Sequence, residues 1–158
     1  MHISSYCSLE DNLVPALSKL AACLRKRKSF SVIKFRRTHL QDATPVTLGQ
    51  EFGGYAAQIE YGIERIRRAQ KSLCELALGG TAVGTGLNTH PEFPQAAIAE
   101  ISNLTGHQFL EARNHFEAQA SRDAIVELSG QLKTIACSLM KIAEDIRLVG
   151  SWATLFIG

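Results

Sequence analysis

DAIVELSGQLKTIACSLMKIAEDIR, residues Asp123 to Arg147, decides the fold class. Leu128, Leu132, Ile135, Leu139, Ile142 and Ile146 follow one another in steps of four and three, and Val149 continues the series. A pattern that repeats every seven residues fits an α-helix with a left-handed packing seam. Val126, Ala136, Met140 and Ala143 place apolar side chains outside that seam, as expected of a helix buried among other helices.

Outward from that helix, the rest of the chain also reads as mainly helical. A second long helix begins near Leu48 and carries Phe52, Tyr55, Ile59, Ile63, Ile66, Leu73 and Leu76, mostly at helical spacing. Glu64 and Arg68 stand four apart in the favourable order for a surface pair. Gly79-Gly80 is expected to end this helix. At 1.5 Å per residue, each long helix spans roughly 45 Å and needs equally long partners. A first helix is expected from about Leu9 to Lys28, with Leu13, Ala16, Leu17, Leu20 and Leu24 on one face and Pro15 as a kink or first-turn residue. A short helix is expected from Phe93 to Leu104, closed by Gly106. Strand-like alternation is confined to Phe30–Phe35. The fold class is therefore all-α, a long-helix bundle that assembles further. Residues 1–150 read as one helical domain. Residues 151–158 (SWATLFIG) break the pattern and read as a divergent tail.

With 158 residues, the chain can bury a real core. Its net charge of +2 argues for neither nucleic acid nor a membrane surface as partner. The basic run RKRK, Arg25 to Lys28, suits a solvated helix end. Cys7, Cys23, Cys74 and Cys137 form no CxxC pair, so reduced thiols in a cytoplasmic setting are expected rather than a disulfide framework. The opening MHISSYCSLEDN is not a signal peptide, and no apolar run is long enough to span a bilayer. The histidines at 2, 39, 90, 107 and 115 show no HxH, HxxxH or HExxH spacing, so no metal site is expected. GGTAVGTGLNT, from Gly79, contains neither GxxxxGK[ST] nor GxGxxG and reads as helix termination with a tight turn.

One polar stretch stands apart. Arg37-Thr38-His39-Leu40-Gln41-Asp42 lies between helical segments. Pro45 would open the long helix, with Thr44 as its cap. By composition this is either an ordinary polar loop with a cap or a substrate loop. In the second case Thr38 and Gln41 would hydrogen-bond an anion and His39 would relay protons near neutral pH.

RTHLQDATPVTLGQEF (Arg37–Phe52) resembles the central signature of the fumarase/aspartase superfamily. ELALGGTAVGTGLNTHPEF (Glu75–Phe93) resembles the next block of class II fumarate hydratases, and Asn114, Phe116, Glu117 and Ala118 match its N-x-F-E-A element. Asp123–Arg147 resembles the helix that follows. The matches run in order over residues 1–150. His39 favours fumarase, because aspartases usually carry Gln there; an aspartase-like ammonia lyase is the less favoured alternative.

The resemblance implies a partial central helical domain and a hydro-lyase. It would hydrate fumarate reversibly to (S)-malate, a tricarboxylic acid cycle step, as a cytoplasmic homotetramer with neither metal nor organic cofactor. It implies that Thr38 binds a substrate carboxylate and that His39, with an ordered water, is catalytic. It further implies that two of three active-site regions lie outside this stretch, before Met1 and after Gly158. The chain alone would then be an inactive internal fragment; the competing expectation is a non-catalytic, oligomerising helical fragment. Arg36, His115, Arg122 and Glu144 depart from the family's usual glycine, lysine, histidine and asparagine. Arg36 is expected to strain a backbone suited to glycine, and Glu144 to bury a charge.

Overall fold

The computed structural model describes residues 1–39 and 41–151. Among the described residues six α-helices dominate: α1 (His2–Ser8), α2 (Val14–Lys26), α3 (Leu48–Leu73), α4 (Phe93–Thr105), α5 (His115–Ala120) and α6 (Asp123–Ser151). At 26 and 29 residues, α3 and α6 are about 39 and 44 Å long. The long-helix, all-α reading therefore holds. Two small ladders accompany it: β1 (Ile33–Thr38) antiparallel to β2 (Gln41–Thr47), and β3 (Glu75–Leu76) parallel to β4 (Leu110–Glu111). No helix among the described residues is long and apolar enough to cross a membrane.

The chain forms two compact units, Met1–Val14 with Arg65–Gln131, and Pro15–Glu64 with the chain from Leu132. In the first, Leu76, Ile98 and Phe109 form a buried cluster, with Ile3, Tyr6, Cys7, Leu78 and Ile101 packed against it. In the second, the buried side chains come from α2 (Leu17, Ala21, Leu24), α3 (Tyr55, Ala56, Ile59, Ile63) and α6 (Ile135, Ile142). Gly62 lets α3 approach α6: a Cβ there would lie 2.5 Å from Cδ1 of Ile135.

Several boundaries differ from those expected. Helix starts at His2, and a π turn, Leu9–Leu13, separates α1 from α2. Pro15 sits just after it; with no N–H to donate, proline interrupts the ordinary ladder one turn back. The buried face of α2 is Val14, Leu17, Ala21 and Leu24, while Ala16 and Leu20 are exposed. Helix α3 ends at Leu73, not at Gly79-Gly80, because Cys74–Leu76 peels off to pair with β4: Leu110 N donates to Cys74 O (2.8 Å) and Ala112 N to Leu76 O (3.0 Å). Gly79 serves the following turn instead. Its φ of 102° suits glycine, and a Cβ would lie 2.3 Å from Cγ of Pro94. The glycine-rich loop bonds to itself, Gly80 O accepting from Gly84 N and Gly86 N, and Gln119 Nε2 donates to Thr81 O. Gly106 closes α4 in the left-handed region as expected, although α4 runs on to Thr105.

On α6 the seven-residue spacing survives as burial of Leu128, Ile135 and Ile142. Met140 and Ile146 are exposed, as is Val126. The expected burial of this helix on several faces is not met within the chain. The side chain of Val149 and the tail 152–158 lie outside the described residues.

Gln70, on α3, is only 2 % exposed, and neither its amide nitrogen nor its oxygen has a hydrogen-bond partner among the described residues. An unsatisfied buried amide costs about 1–3 kcal/mol. Gln70→Leu is therefore expected to stabilise the isolated chain by about 1 kcal/mol, read as a higher urea midpoint at unchanged slope. A lower midpoint would show that the amide is satisfied in solution.

Candidate active site at the tip of a β-hairpin

Strands β1 and β2 form a hairpin with the register Ile33↔Thr47, Lys34↔Val46, Phe35↔Pro45 and Arg36↔Thr44, then, past a bulge, Arg37↔Asp42 and Thr38↔Gln41. Thr44 and Pro45 are thus strand residues, and neither opens α3. A two-stranded sheet tolerates proline because both strands are edges. The helix is capped three residues later: Gln50 N donates to Thr47 Oγ1 (3.1 Å), and Thr47 N donates to Gln50 Oε1 (2.9 Å). This reciprocal pair is a capping box, signalled by T-x-x-Q.

Two backbone bonds latch the base of the hairpin, Leu48 N to Val32 O (2.8 Å) and Gly49 N to Phe30 O (3.1 Å). Lys34 also pairs with Glu51. Thr38 and His39 stand side by side at the tip, both exposed. His39 has φ 51°, a left-handed conformation in which side chains other than Asn, Asp and His are uncommon. Strain of this kind concentrates at functional sites. Leu40 and the side chain of Arg37 lie outside the described residues. The structure thus keeps Thr38, His39 and Gln41 together and presents a hydroxyl, an imidazole and an amide to solvent.

Between the two long helices, Tyr55 Oη of α3 donates to Asp145 Oδ2 of α6 (2.9 Å), and Lys141 pairs with the same carboxylate. The Lys141 ammonium also lies 5.3 Å from the centre of the Tyr55 ring. Burial, then the bond to Asp145 and the charge of Glu51, push the Tyr55 hydroxyl far above its usual range. Burial alone would raise Asp145, but bonds from Lys141 and Tyr55 and the charges of Lys141 and Arg36 outweigh it and hold the carboxyl below the ordinary range. A carboxyl depressed in the folded state stabilises above its unfolded value, and that stabilisation is lost as pH falls through the folded value. Wild-type stability should thus decline below about pH 4, and Asp145→Asn should flatten that decline. Urea midpoints between pH 5 and 3 test it; parallel curves would refute the role.

Two departures from the family pattern resolve differently from expectation. Arg36 is ordinary strand backbone without a positive φ, and it adds charge near Tyr55 and Asp145. Glu144 is exposed and paired with Arg147 at 2.6 Å, so no charge is buried there. Asn114 of the N-x-F-E-A element caps α5, its Oδ1 accepting from Glu117 N (3.1 Å).

The RTHLQDA hairpin thus leads directly into the long helix α3. A family model described as lyase matches residues 1–156. The mitochondrial fumarate hydratase of Dictyostelium discoideum is 56 % identical over 153 residues, 96 % of this chain and 32 % of that protein. The class II fumarate hydratase of Nitrosomonas europaea is 51 % identical over the whole of this chain and 35 % of that protein. The crystal structure of a class II fumarase from Schistosoma mansoni superposes with a TM-score of 0.89 at 34 % identity, covering 95 % of this chain and 35 % of that one. The chain belongs to this lyase family, and within it groups with the class II fumarate hydratases. It spans about a third of the length of the relatives it matches.

Proposed function

We propose that this chain contributes one of three regions of a fumarate hydratase active site, for the reversible hydration of fumarate to (S)-malate. The observation that carries the reading is the juxtaposition of Thr38 and His39 on a hairpin tip latched to α3. In this reading the Thr38 hydroxyl donates to a substrate carboxylate. The His39 imidazole, through a water, gives or takes the proton that travels with the hydroxyl. The proton at C3 is removed by a group from another region. His39 supports a hydratase over an aspartase-like lyase. No metal or organic cofactor enters the reaction so described.

Residues 1–150 form part of the central helical domain in this proposal, and a homotetramer completes each site. Exposed apolar side chains on β1 (Ile33, Phe35) and α6 (Met140, Leu148) support assembly. The QDATP form of the motif, Gln41–Pro45, resembles bacterial enzymes and favours a cytoplasmic setting.

The test grafts residues 1–150 in place of the matching third of the Nitrosomonas europaea protein and follows fumarate by its ultraviolet absorbance. The graft should turn over, whereas the 158-residue chain alone should not. A folded, tetrameric graft with no turnover would overturn the proposal.

A further inference from the structure

We propose that Cys7, Asp11 and His107 form a binding site for one thiophilic divalent cation, with zinc as the best fit. The cation would clasp the N-terminal helix to the loop after α4. The sulfur, one carboxylate oxygen and one imidazole nitrogen all lie within 4.8 Å of one another. His107 Nε2 is 3.0 Å from Asp11 Oδ1. Zinc bonds of about 2.0–2.3 Å in tetrahedral geometry separate ligand atoms by roughly 3.3–3.8 Å, so small side-chain adjustments complete the site.

The fold supplies the convergence that spacing along the chain lacks. Cys7 and Asp11 are four residues apart across the junction of α1 and the π turn, which puts them on one face. His107 is delivered from 96 residues away by the left-handed cap at Gly106. Its backbone N donates to Thr105 Oγ1 (3.3 Å), and the Tyr6 ring meets the imidazole edge-on, centroids 5.3 Å apart at 64°. The imidazole is therefore held in position before any cation arrives. Cys7 and His107 are half-buried and Asp11 is exposed, which leaves the fourth coordination position to a water.

One sulfur, one nitrogen and one oxygen donor select zinc or cobalt over magnesium or calcium, which prefer oxygen alone. On binding, the Cys7 S–H bond breaks and a sulfur–metal bond forms, the hydrogen bond between His107 Nε2 and Asp11 Oδ1 opens as the ring proton moves to Nδ1, and the thiol proton passes to solvent, with no change of oxidation state. The site shares no residue with the hairpin motif, so its role is structural and independent of the proposed hydration.

The reduced, chelator-stripped 158-residue chain is titrated with cobalt chloride and then zinc chloride. The expected result is a thiolate-to-cobalt charge-transfer band that saturates at one equivalent and is displaced by zinc. Cys7→Ser should remove the band, and His107→Ala should weaken zinc binding by about tenfold or more. The wild-type chain gives a readout that survives misfolding of the variants: zinc should slow alkylation of Cys7 but not of exposed Cys23 and Cys137. Absence of the band, its persistence in Cys7→Ser, or equal alkylation of Cys7 with and without zinc would each overturn the proposal.

Discussion

His39→Asn in the grafted enzyme should lower kcat by about 10²- to 10⁴-fold with little change in KM, the range expected for loss of a positioned proton donor or acceptor. Asparagine is the informative replacement because it tolerates the left-handed conformation that His39 adopts at φ 51°. The hairpin should therefore persist, and Thr38 should keep its place. The substitution removes the imidazole and little else. Initial rates of fumarate loss and formation, taken at several substrate concentrations, separate the two constants. A variant within a factor of two of its parent in kcat would show that His39 does not move the proton. A rise in KM alone would make it a binding residue.

Gly49→Ala should destabilise the chain by about 2 kcal/mol or more, the scale of an overpacked core substitution. A Cβ at residue 49 would lie 2.1 Å from the carbonyl oxygen of Lys28 and 2.8 Å from that of Phe30. Both are backbone atoms, so no rotamer change relieves the contact. The Gly49 N to Phe30 O bond would be lost with it. The effect should appear as a lower urea midpoint and as faster amide exchange at Leu48 and Gly49. An alanine variant of wild-type stability would mean that the latch between hairpin and helix is loose in solution. Combined with the graft, the same substitution should lower turnover although Gly49 touches no substrate.

Much of this architecture is written in local pattern. The spacing of Leu128, Ile135 and Ile142 announced α6, and the start of α3 at Leu48 was readable from Phe52, Tyr55 and Ile59. Thr38 and His39 were visible as polar residues between helical segments, and the structure puts them side by side where β1 ends. Other features depend on residues remote in the chain. The pairing of β3 with β4 joins residues 35 apart, so the helix was expected to reach Gly79 when it stops at Leu73. Tyr55 and Asp145 are 90 residues apart, and nothing at either position signals the bond. Pro45 misled for a different reason. A proline after threonine suits a helix entry, but β-branched Val46 and Thr47 draw the segment into the strand, and T-x-x-Q starts the helix instead.

The hairpin register has a kinetic consequence. Its pairs run from Thr38↔Gln41 to Ile33↔Thr47, a separation of three to 14 residues, and the cap joins Thr47 to Gln50. Hairpins with such short loops close in about 1–10 µs. The bond between Tyr55 and Asp145 must wait for a far larger loop to close. During synthesis, β1 and β2 can therefore begin to pair soon after residue 50 is available, well before α6 has been made. Docking of α3 through Leu48, Gly49 and Glu51 then fixes a pairing that an isolated two-stranded hairpin holds only marginally.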